Sequence, residues 1–333
     1  MSATRSGPVF DWSVTGVAAI FLGGVFLDGW AHTHGRVDET FFTPWHVVLY
    51  AGYLATALVL VGRTAWGRAR GAAWADVVPV GYGLSLVGAA LWLIGGPFDL
   101  LWHSVFGFEA GVEALLSPAH AVLALGYGLM ASGPLRAALR RPAGRWRDEL
   151  PLVLSLSFVI ADLTFFTQIA HPVSNLWAAG ARRISSDATE LGLVSMMLIA
   201  VVITAPVLVL LRHGRLPAGA VTILVGLHSI AMGFVYDHGP YPVWPVIGMI
   251  VAAVVADVLR AVWAPSVLQP GAFRCFAFTL PALLYVGYFA ALALSVGIGW
   301  STHLWTGIVG FAGIVGWLIS YVVLPPRGAT VAA

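Results

Sequence analysis

The chain has 333 residues, 59% hydrophobic and only 10% charged, with a mean hydropathy of +0.88. This composition excludes an ordinary soluble domain and indicates a protein that crosses a membrane several times. The net charge of +2 requires no nucleic acid as a partner, and the single cysteine, Cys275, excludes an internal disulfide and a multi-thiolate metal site.

Ten predominantly apolar segments, each long enough to span a bilayer, follow one another along the chain. They cover residues 12–32, 45–62, 77–103, 118–135, 150–170, 190–211, 217–236, 242–262, 272–298 and 303–324. We therefore predict an all-α, polytopic membrane bundle of about ten transmembrane helices. No basic run or small-residue cleavage site accompanies the first segment, so we expect it to be retained rather than removed as a signal peptide.

The basic residues are distributed unevenly between the two ends of these segments. All 17 are Arg, and only Arg36, Arg182 and Arg183 fall on one side of the predicted membrane. Cytoplasmic loops carry the excess of positive charge, so we expect both termini in the cytoplasm. The loops after the odd-numbered segments then lie on the external side of the cell (inner) membrane.

The first two pairs of segments share a sequence pattern. In each pair an Asp is followed four residues later by a His, and after a loop the pattern [ST]PxH opens the next segment. The first copy reads DGWAH from Asp28 to His32 and then TPWHVVLYAGY, which contains His46; the second reads DLLWH from Asp99 to His103 and then SPAHAVLALGY, which contains His120. Because both copies also end in VLxxGY, we predict an internal duplication built from repeated hairpins.

The spacing within each copy predicts where these side chains lie. Residues four apart share one helix face, so the Asp and His of each DxxxH pattern point together. Thr43 and Ser117 are typical N-caps, and Pro44 and Pro118 suit the first helical position, which puts the next His at the third position of its helix. We predict two metal sites at the external ends of the hairpins, formed by Asp28, His32 and His46 and by Asp99, His103 and His120.

The residue types limit which metal ions the predicted sites would bind. Nine of the ten His lie in external loops or in the segments that border them, whereas His213 is cytoplasmic. Imidazoles and carboxylates without thiolates suit copper(II), zinc or non-haem iron. The alternative is that these are interfacial polar residues that cap helices, although ionisable groups at membrane depth are usually functional. We divide the chain into a metal-binding membrane region, 1–140, and additional transmembrane helices of the same bundle, 141–333.

Other polar residues near the external side favour different roles. Solvated or supporting roles are expected for His34, Arg36, Asp38, Glu39, Glu109 and Glu113, and interfacial positions for His171, Asp237, His238 and His303. Asp187 and Glu190 have the spacing of a capping box, in which Glu190 takes the helix position of the motif His and is a weaker ligand candidate. Asp162 and His228 lie in the middle of segments, where a buried hydrogen bond and a proton path are equally expected.

The segment DGWAHTHGRVDETFFTPWHVV resembles the metal-binding segment of a known family. That family is the C subunit of the copper membrane monooxygenases, the particulate methane and ammonia monooxygenases. Its Asp and two His, in DxxxH and TPxHV, bind copper within the membrane region. The resemblance, which covers about the first 130 residues, implies that Asp28, His32 and His46 bind copper and form the catalytic centre.

The second copy of the pattern resembles a second segment of the same family, which has Asn, three residues, His and later PxH. Here Asp99 stands in place of the Asn, and His103 and His120 match the two His. The family also implies an alternative second set, His46 with Asp99 and His103. The chain has more membrane segments than the family's C subunit.

The resemblance implies a copper-dependent membrane monooxygenase, or a subunit of one, that hydroxylates a small apolar substrate with dioxygen near the external face. It also implies partner subunits with a soluble copper or electron-transfer domain. Assembly into a homo-oligomer is a further alternative. Two other classes remain. A metal transport or copper-handling protein requires polar groups across the bilayer, for which Asp162, His228 and Asp257 are available. A scaffold protein would bind a partner or a quinol, with the His and Asp satisfying one another.

Overall fold

The computed structural model describes residues 7–36, 43–107, 111–180, 185–235 and 243–326. Across these ranges the chain forms fourteen α-helices, and extended residues pair only in two isolated bridges. The helices are α1 Pro8–Thr33, α2 Pro44–Ala69, α3 Trp74–Val77, α4 Gly83–Phe106, α5 Val112–Leu116, α6 Pro118–Ala131, α7 Gly133–Ala138, α8 Trp146–Phe166, α9 Pro172–Asn175, α10 Ser186–Arg212, α11 Ala220–Val235, α12 Val243–Trp263, α13 Pro270–Leu294 and α14 Thr302–Val323. The predicted all-α class is confirmed.

Within the described ranges, eight helices are long and apolar enough to cross a membrane: α1, α2, α4, α8, α10, α12, α13 and α14. The chain is therefore a multi-pass membrane protein. These eight helices correspond to eight of the ten predicted segments. The other two segments, 118–135 and 217–236, contain shorter helices than expected, since α6 has 14 residues and α11 has 16.

Both short helices have local causes. Ser132 ends α6, and α7 begins at the next residue with Pro134 in its first turn. Proline has no N–H and its ring clashes with the carbonyl four residues earlier, here that of Met130, which favours a break in the helix at this position. α11 begins after Gly219, whose φ of +79° is a left-handed conformation that favours glycine. Apolar composition alone therefore overestimated the lengths of these two helices.

The chain divides into two compact units. The first contains the residues up to Ile169 and the short segment Ile230–Asp237. Within it α1 packs on α2, α4 packs on α6, and α8 packs on α1, α6 and α7. In the second, α13 packs on both α12 and α14, and α10 packs on α14. Both predicted metal sites belong to the first unit.

Glycines let the two long helices of each hairpin cross closely. A Cβ atom added at Gly52 of α2 would lie 2.4 Å from the Cα of Phe21 in α1. In the second hairpin, a Cβ added at Gly88 of α4 would lie 2.6 Å from the carbonyl oxygen of Gly126 in α6. Small residues at such crossings are typical of membrane helices, which gain most from close packing. Gly52 and Gly126 occupy equivalent positions in the two sequence repeats.

The two hairpins contact each other through equivalent residues. The Tyr53 hydroxyl in the first hairpin donates a 3.0 Å hydrogen bond to the carbonyl oxygen of Ala89 in the second. The Tyr127 hydroxyl in the second hairpin donates a 3.1 Å bond to the carbonyl oxygen of Ala18 in the first. Tyr53 and Tyr127 are equivalent in the repeat, and so are Ala18 and Ala89. An exchange of the same contact in both directions is the mark of two-fold symmetry.

Aromatic rings lie along this two-fold relation. Phe21 and Trp92, which are equivalent in the repeat, contact each other with ring centroids 5.1 Å apart. Tyr53 stacks on Trp92 at 4.4 Å, and Tyr127 meets Phe21 edge-on at 4.9 Å. Phe21, Trp92 and Tyr127 are all buried. The core of the first unit is therefore built around this aromatic cluster, and it fixes the two hairpins side by side.

Candidate metal centres

The N-caps of α2 and α6 position one His in each hairpin. The Thr43 hydroxyl accepts a 3.3 Å hydrogen bond from the backbone N–H of His46, and the Ser117 hydroxyl accepts a 3.2 Å bond from that of His120. Pro occupies the first turn of both helices. The predicted caps are confirmed. Each His lies three residues after its cap residue, which is a helix position whose backbone N–H an N-cap side chain commonly accepts.

The first centre is formed by Asp28 and His32 near the end of α1 and by His46 at the start of α2. Nε2 of His46 lies 3.3 Å from Oδ1 of Asp28, and Nε2 of His32 lies 3.6 Å from Oδ2. One ligand atom from each residue lies within 4.8 Å of the other two. The side chains of Asp28 and His46 are 17% and 18% exposed, whereas that of His32 is 51% exposed, so the centre is open on one side.

The second centre repeats this geometry with Asp99 and His103 of α4 and His120 of α6. Oδ1 of Asp99 lies 3.4 Å from Nε2 of His103 and 3.3 Å from Nε2 of His120. The side chains of Asp99 and His103 are each 10% exposed. The second centre is therefore less open than the first.

These separations match those of ligands around one ion. Ligands about 2.0–2.2 Å from a common ion at tetrahedral angles lie roughly 3.3–3.6 Å apart. The four nitrogen–oxygen distances run from 3.3 to 3.6 Å, to both carboxylate oxygens of Asp28 in the first centre and to one oxygen of Asp99 in the second. The donor set of two imidazoles and one carboxylate suits copper(II), zinc or non-haem iron.

Hydrogen bonds in the second centre fix which ring nitrogen faces the carboxylate. Nδ1 of His103 lies 3.3 Å from the carbonyl oxygen of Gly107, and Nδ1 of His120 contacts the carbonyl oxygen of Ala114. A carbonyl can only accept, so each Nδ1 carries the proton and each Nε2 of a neutral ring is a lone pair. Metal-binding His residues commonly donate their other N–H to a backbone carbonyl in this way.

The Nε2 lone pairs of the second centre point toward a carboxylate, which favours a positive charge between them. Each of the two Nε2 lone pairs faces the Asp99 carboxylate oxygen at 3.3–3.4 Å, an arrangement that a positive charge between them would stabilise. That charge is either a metal ion or an added proton on the rings. In the first centre, Oδ1 of Asp28 is buried and receives no hydrogen bond from the described residues. A buried carboxylate oxygen in that situation fits a metal ligand.

No protein-family model, curated protein or solved structure matches this chain. The resemblance to the C subunit of the copper membrane monooxygenases therefore stays a prediction. Its alternative ligand set, His46 with Asp99 and His103, is not among the groups of described residues whose ligand atoms come within 4.8 Å of one another.

Tyr50 lies beside both centres and breaks their symmetry. Its ring centroid is 5.7 Å from that of His46 and 5.8 Å from that of Trp92. Its hydroxyl is close enough to interact electrostatically with the carboxylates of both Asp28 and Asp99. The equivalent residue in the second repeat is Ala124. The sequence repeat contains this difference, but the position of Tyr50 beside the centres follows only from the packing of the hairpins.

Other residues that the sequence placed near the sites have different surroundings. Nδ1 of His34 donates a 2.8 Å hydrogen bond to the carbonyl oxygen of Trp30, and the two rings stack at 4.6 Å. Asp38, Glu39, Glu109, Arg182, Arg183, Asp237 and His238 lie outside the described residues. The predicted Asp187–Glu190 capping box is wrong, because Ser185 is the N-cap of α10 and accepts from the N–H of Ala188. Glu190 is exposed and does not take the position of the motif His.

The polar residues predicted deep in the membrane also differ from one another. Oδ1 of Asp162 is buried and receives no hydrogen bond from the described residues. Asp257 accepts hydrogen bonds from the backbone N–H groups of Val221 and Thr222 and from the Thr222 hydroxyl, so it caps the start of α11. In the second unit His228 donates from Nδ1 to the carbonyl oxygen of Leu224.

His171 was predicted to be interfacial but is completely buried, at the N-cap of the short helix α9 in the second unit. Its ring lies 5.6 Å from that of His228, and its Nδ1 accepts a 3.3 Å hydrogen bond from the N–H of Val173. Burial lowers the pKa of His171 well below its usual value, and the neighbouring His228 adds to this effect. His171 is therefore neutral at neutral pH.

Proposed function

We propose that this chain is a copper-dependent membrane monooxygenase, or a subunit of one, with a centre formed by Asp28, His32 and His46. The observation that supports it best is the convergence, in each of two hairpins, of two imidazole Nε2 atoms on one carboxylate at 3.3–3.6 Å. Copper bound at such a centre would supply dioxygen activation and one-electron redox chemistry. Zinc and non-haem iron are the other metals that this donor set accepts.

The protein would hold and orient the ligands. The helical spacing of Asp28 and His32 and the N-cap of His46 set the positions of all three ligands before any ion binds, so little conformational entropy is lost on binding. The Asp28 carboxylate neutralises part of the ion's charge in a membrane setting. In the second centre, Gly107 and Ala114 hold the rings through their carbonyl oxygens.

An apolar substrate would reach these centres from the bilayer. Val47, next to His46, is 65% exposed, and Leu101, two residues after Asp99, is 60% exposed. In a membrane protein, exposed apolar side chains of long helices face lipid. A small apolar molecule dissolved in the lipid would therefore meet the centres without crossing an aqueous phase.

The proposal also includes the location and partners. We place the chain in the cell (inner) membrane. The Arg distribution supports an orientation with both termini cytoplasmic and the centres toward the external side. Electrons and a soluble copper or electron-transfer domain would come from partner subunits, and a homo-oligomer is compatible with this arrangement.

The test uses membranes that contain the full chain. We expect them to contain copper with a paramagnetic resonance signal of nitrogen ligation, and to consume oxygen only with a reductant and a short-chain hydrocarbon present. With isotopically labelled dioxygen, one labelled oxygen atom should appear in the alcohol product. His46→Ala should remove most of the copper of the first centre and the activity.

His213→Ala is the matched control, because His213 also donates from Nδ1 to a backbone carbonyl, that of Val209, at 2.8 Å but lies outside both centres. It should keep metal and activity. Unchanged copper content in the His46→Ala protein would overturn the proposal.

Metal transport is the second candidate function, and the buried carboxylate of Asp162 is the observation that favours it. It predicts copper uptake into proteoliposomes that is lost in Asp162→Asn. Asp257 weakens this candidate, because its hydrogen bonds to α11 give it a structural role. Uptake without oxygen consumption would favour transport over oxidation.

A further inference from the structure

A groove in the second unit combines an apolar wall with one cation. It has a volume of about 770 Å³ and is lined by residues that include Trp263 at the end of α12, Arg274, Cys275 and Phe278 in the first turns of α13, and Ile314 and Trp317 in α14. None of these residues belongs to the metal centres.

The floor of the groove is a close helix crossing. A Cβ atom added at Gly316 of α14 would lie 2.0 Å from the carbonyl oxygen of Ala277 in α13, so the two backbones are in contact there. Phe278 covers Gly313, where an added Cβ would lie 2.7 Å from the ring. Phe278 and Trp317 are each 40% exposed, and they form the rims of the apolar part.

The cation lies at one end of this groove. The guanidinium carbon of Arg274 is 3.8 Å from the ring centroid of Tyr321, and Tyr321 contacts Trp317 at 5.0 Å. The Nη1 atom of Arg274 is buried, and no hydrogen bond from it reaches another described residue. A guanidinium carries five N–H donors that match a phosphate, and a buried donor that lacks an acceptor costs free energy. Arg274 therefore places a positive charge at this end of the groove, and no described carboxylate of the lining balances it.

The apolar part continues from this cation along the helix axes. Phe278 lies one helical turn from Arg274, and Ile314 lies one turn from Trp317 and two from Tyr321, so apolar surface extends away from the charge for about two turns. Trp263 is near the same end as Arg274, where amphipathic rings typically meet lipid headgroups. A charged end followed by an apolar channel of this kind is complementary to a phospholipid.

We propose that this groove is a binding site for an anionic phospholipid, with the phosphate on Arg274 and an acyl chain against Phe278, Ile314 and Trp317. The net negative charge of the ligand follows from charge complementarity, since no described carboxylate lines the groove to balance Arg274. A zwitterionic lipid has its own cation beside the phosphate and gains less. The site is independent of the metal centres and of the proposed oxidation.

The sole cysteine provides a direct probe of the site. Cys275 is exposed and lines the groove, so a bound lipid covers its thiol. The full-length protein, stripped of lipid in detergent, is titrated with dioleoylphosphatidylglycerol or dioleoylphosphatidylcholine while maleimide labelling of Cys275 is followed, and binding is counted by native mass spectrometry. We expect phosphatidylglycerol to protect the thiol at lower concentration than phosphatidylcholine.

Variants separate the two parts of the site. Arg274→Gln should weaken phosphatidylglycerol binding about fivefold and weaken phosphatidylcholine binding by a smaller factor. Phe278→Ala should weaken the binding of both lipids. Arg70→Gln is the matched control, because Arg70 also lies over an aromatic ring, that of Trp66 at 3.9 Å, but outside the groove.

Four results would overturn the assignment. One is equal protection by the two lipids, and another is unchanged phosphatidylglycerol binding by Arg274→Gln in a protein that keeps its wild-type melting temperature. The third is protection that follows protein concentration, which would show that a second copy of the chain covers the groove. Protection by inorganic phosphate alone would also remove the role of the acyl chain.

Discussion

The hydroxyl of Tyr53 donates a hydrogen bond to the carbonyl oxygen of Ala89, and the equivalent Tyr127 donates one to the equivalent Ala18. These two bonds join the hairpins that carry the candidate metal centres. We predict that Tyr53→Phe and Tyr127→Phe each lower the free energy of unfolding by about 0.5–1.5 kcal/mol, the usual contribution of one such bond. Reversible unfolding in mixed micelles measures this, and a change in only one of the two variants would contradict the symmetry.

The close crossing of α1 and α2 makes Gly52 intolerant of a side chain. Gly52→Ala places a Cβ atom 2.4 Å from the Cα of Phe21, and the backbones must separate. We expect a loss of about 1–3 kcal/mol or more in the free energy of unfolding. The control is Gly62→Ala in the same helix, where an added Cβ meets nothing within 4 Å. Equal melting temperatures for the two variants would show that the helices do not cross as described.

Each hairpin should bind metal independently of the other. We predict that His46→Ala and His120→Ala each remove about one equivalent of metal, and that the double variant retains almost none, because each ligand set is complete within its own hairpin. Elemental analysis of the purified proteins measures the content. Loss of all metal in either single variant would indicate one shared ion instead.

Tyr50 should shield the first centre from solvent. In the His120→Ala background, where the first centre is the one left intact, we expect Tyr50→Ala to speed the removal of metal by a chelator, because the ring beside His46 is lost. Tyr50→Phe keeps the ring and should behave like the parent. If Tyr50→Phe were as fast as Tyr50→Ala, the hydroxyl rather than the ring would be responsible.

Neutral His171 should make stability depend on pH. Its pKa is lowered in the folded state from an ordinary value of 6.5, so below about pH 6.5 the unfolded chain binds a proton that the folded chain does not. The contribution of neutral His171 to the free energy of unfolding is present above that pH. It is lost as the pH falls, by up to about 1.4 kcal/mol per pH unit.

His171→Asn tests this pH dependence. Asn can accept the N–H of Val173 as an N-cap, as His171 does, but does not titrate near neutral pH. Melting temperatures between pH 5 and pH 8 should fall less steeply in the variant. Parallel curves for the two proteins would assign the pH dependence to other groups.

Local rules predicted the parts of the centres that depend on one or two helical turns. The pairing of Asp28 with His32 follows from their spacing of four, and Thr43 fixes His46 through a cap bond that sequence reveals. The Asp187–Glu190 box failed because Ser185, two residues earlier, is an equally good cap.

Contacts between hairpins were beyond the sequence. The bond from Tyr53 to Ala89 depends on how two helix pairs pack, although the repeated GY ending marked the residues concerned. The groove around Arg274 likewise depends on how three consecutive helices, α12, α13 and α14, pack against one another. The burial of His171 gave no signal in the sequence, because it depends on the tertiary packing around the short helix α9.

The reciprocal bonds between the hairpins also bear on ancestry. A single hairpin carrying Tyr53 and Ala18 would make both bonds with an identical copy of itself, as subunits of a two-fold dimer do. Fusion of two such genes would preserve the interface while freeing each half to diverge. The difference between Tyr50 and Ala124 would then be one of the substitutions by which the two halves became distinct after fusion.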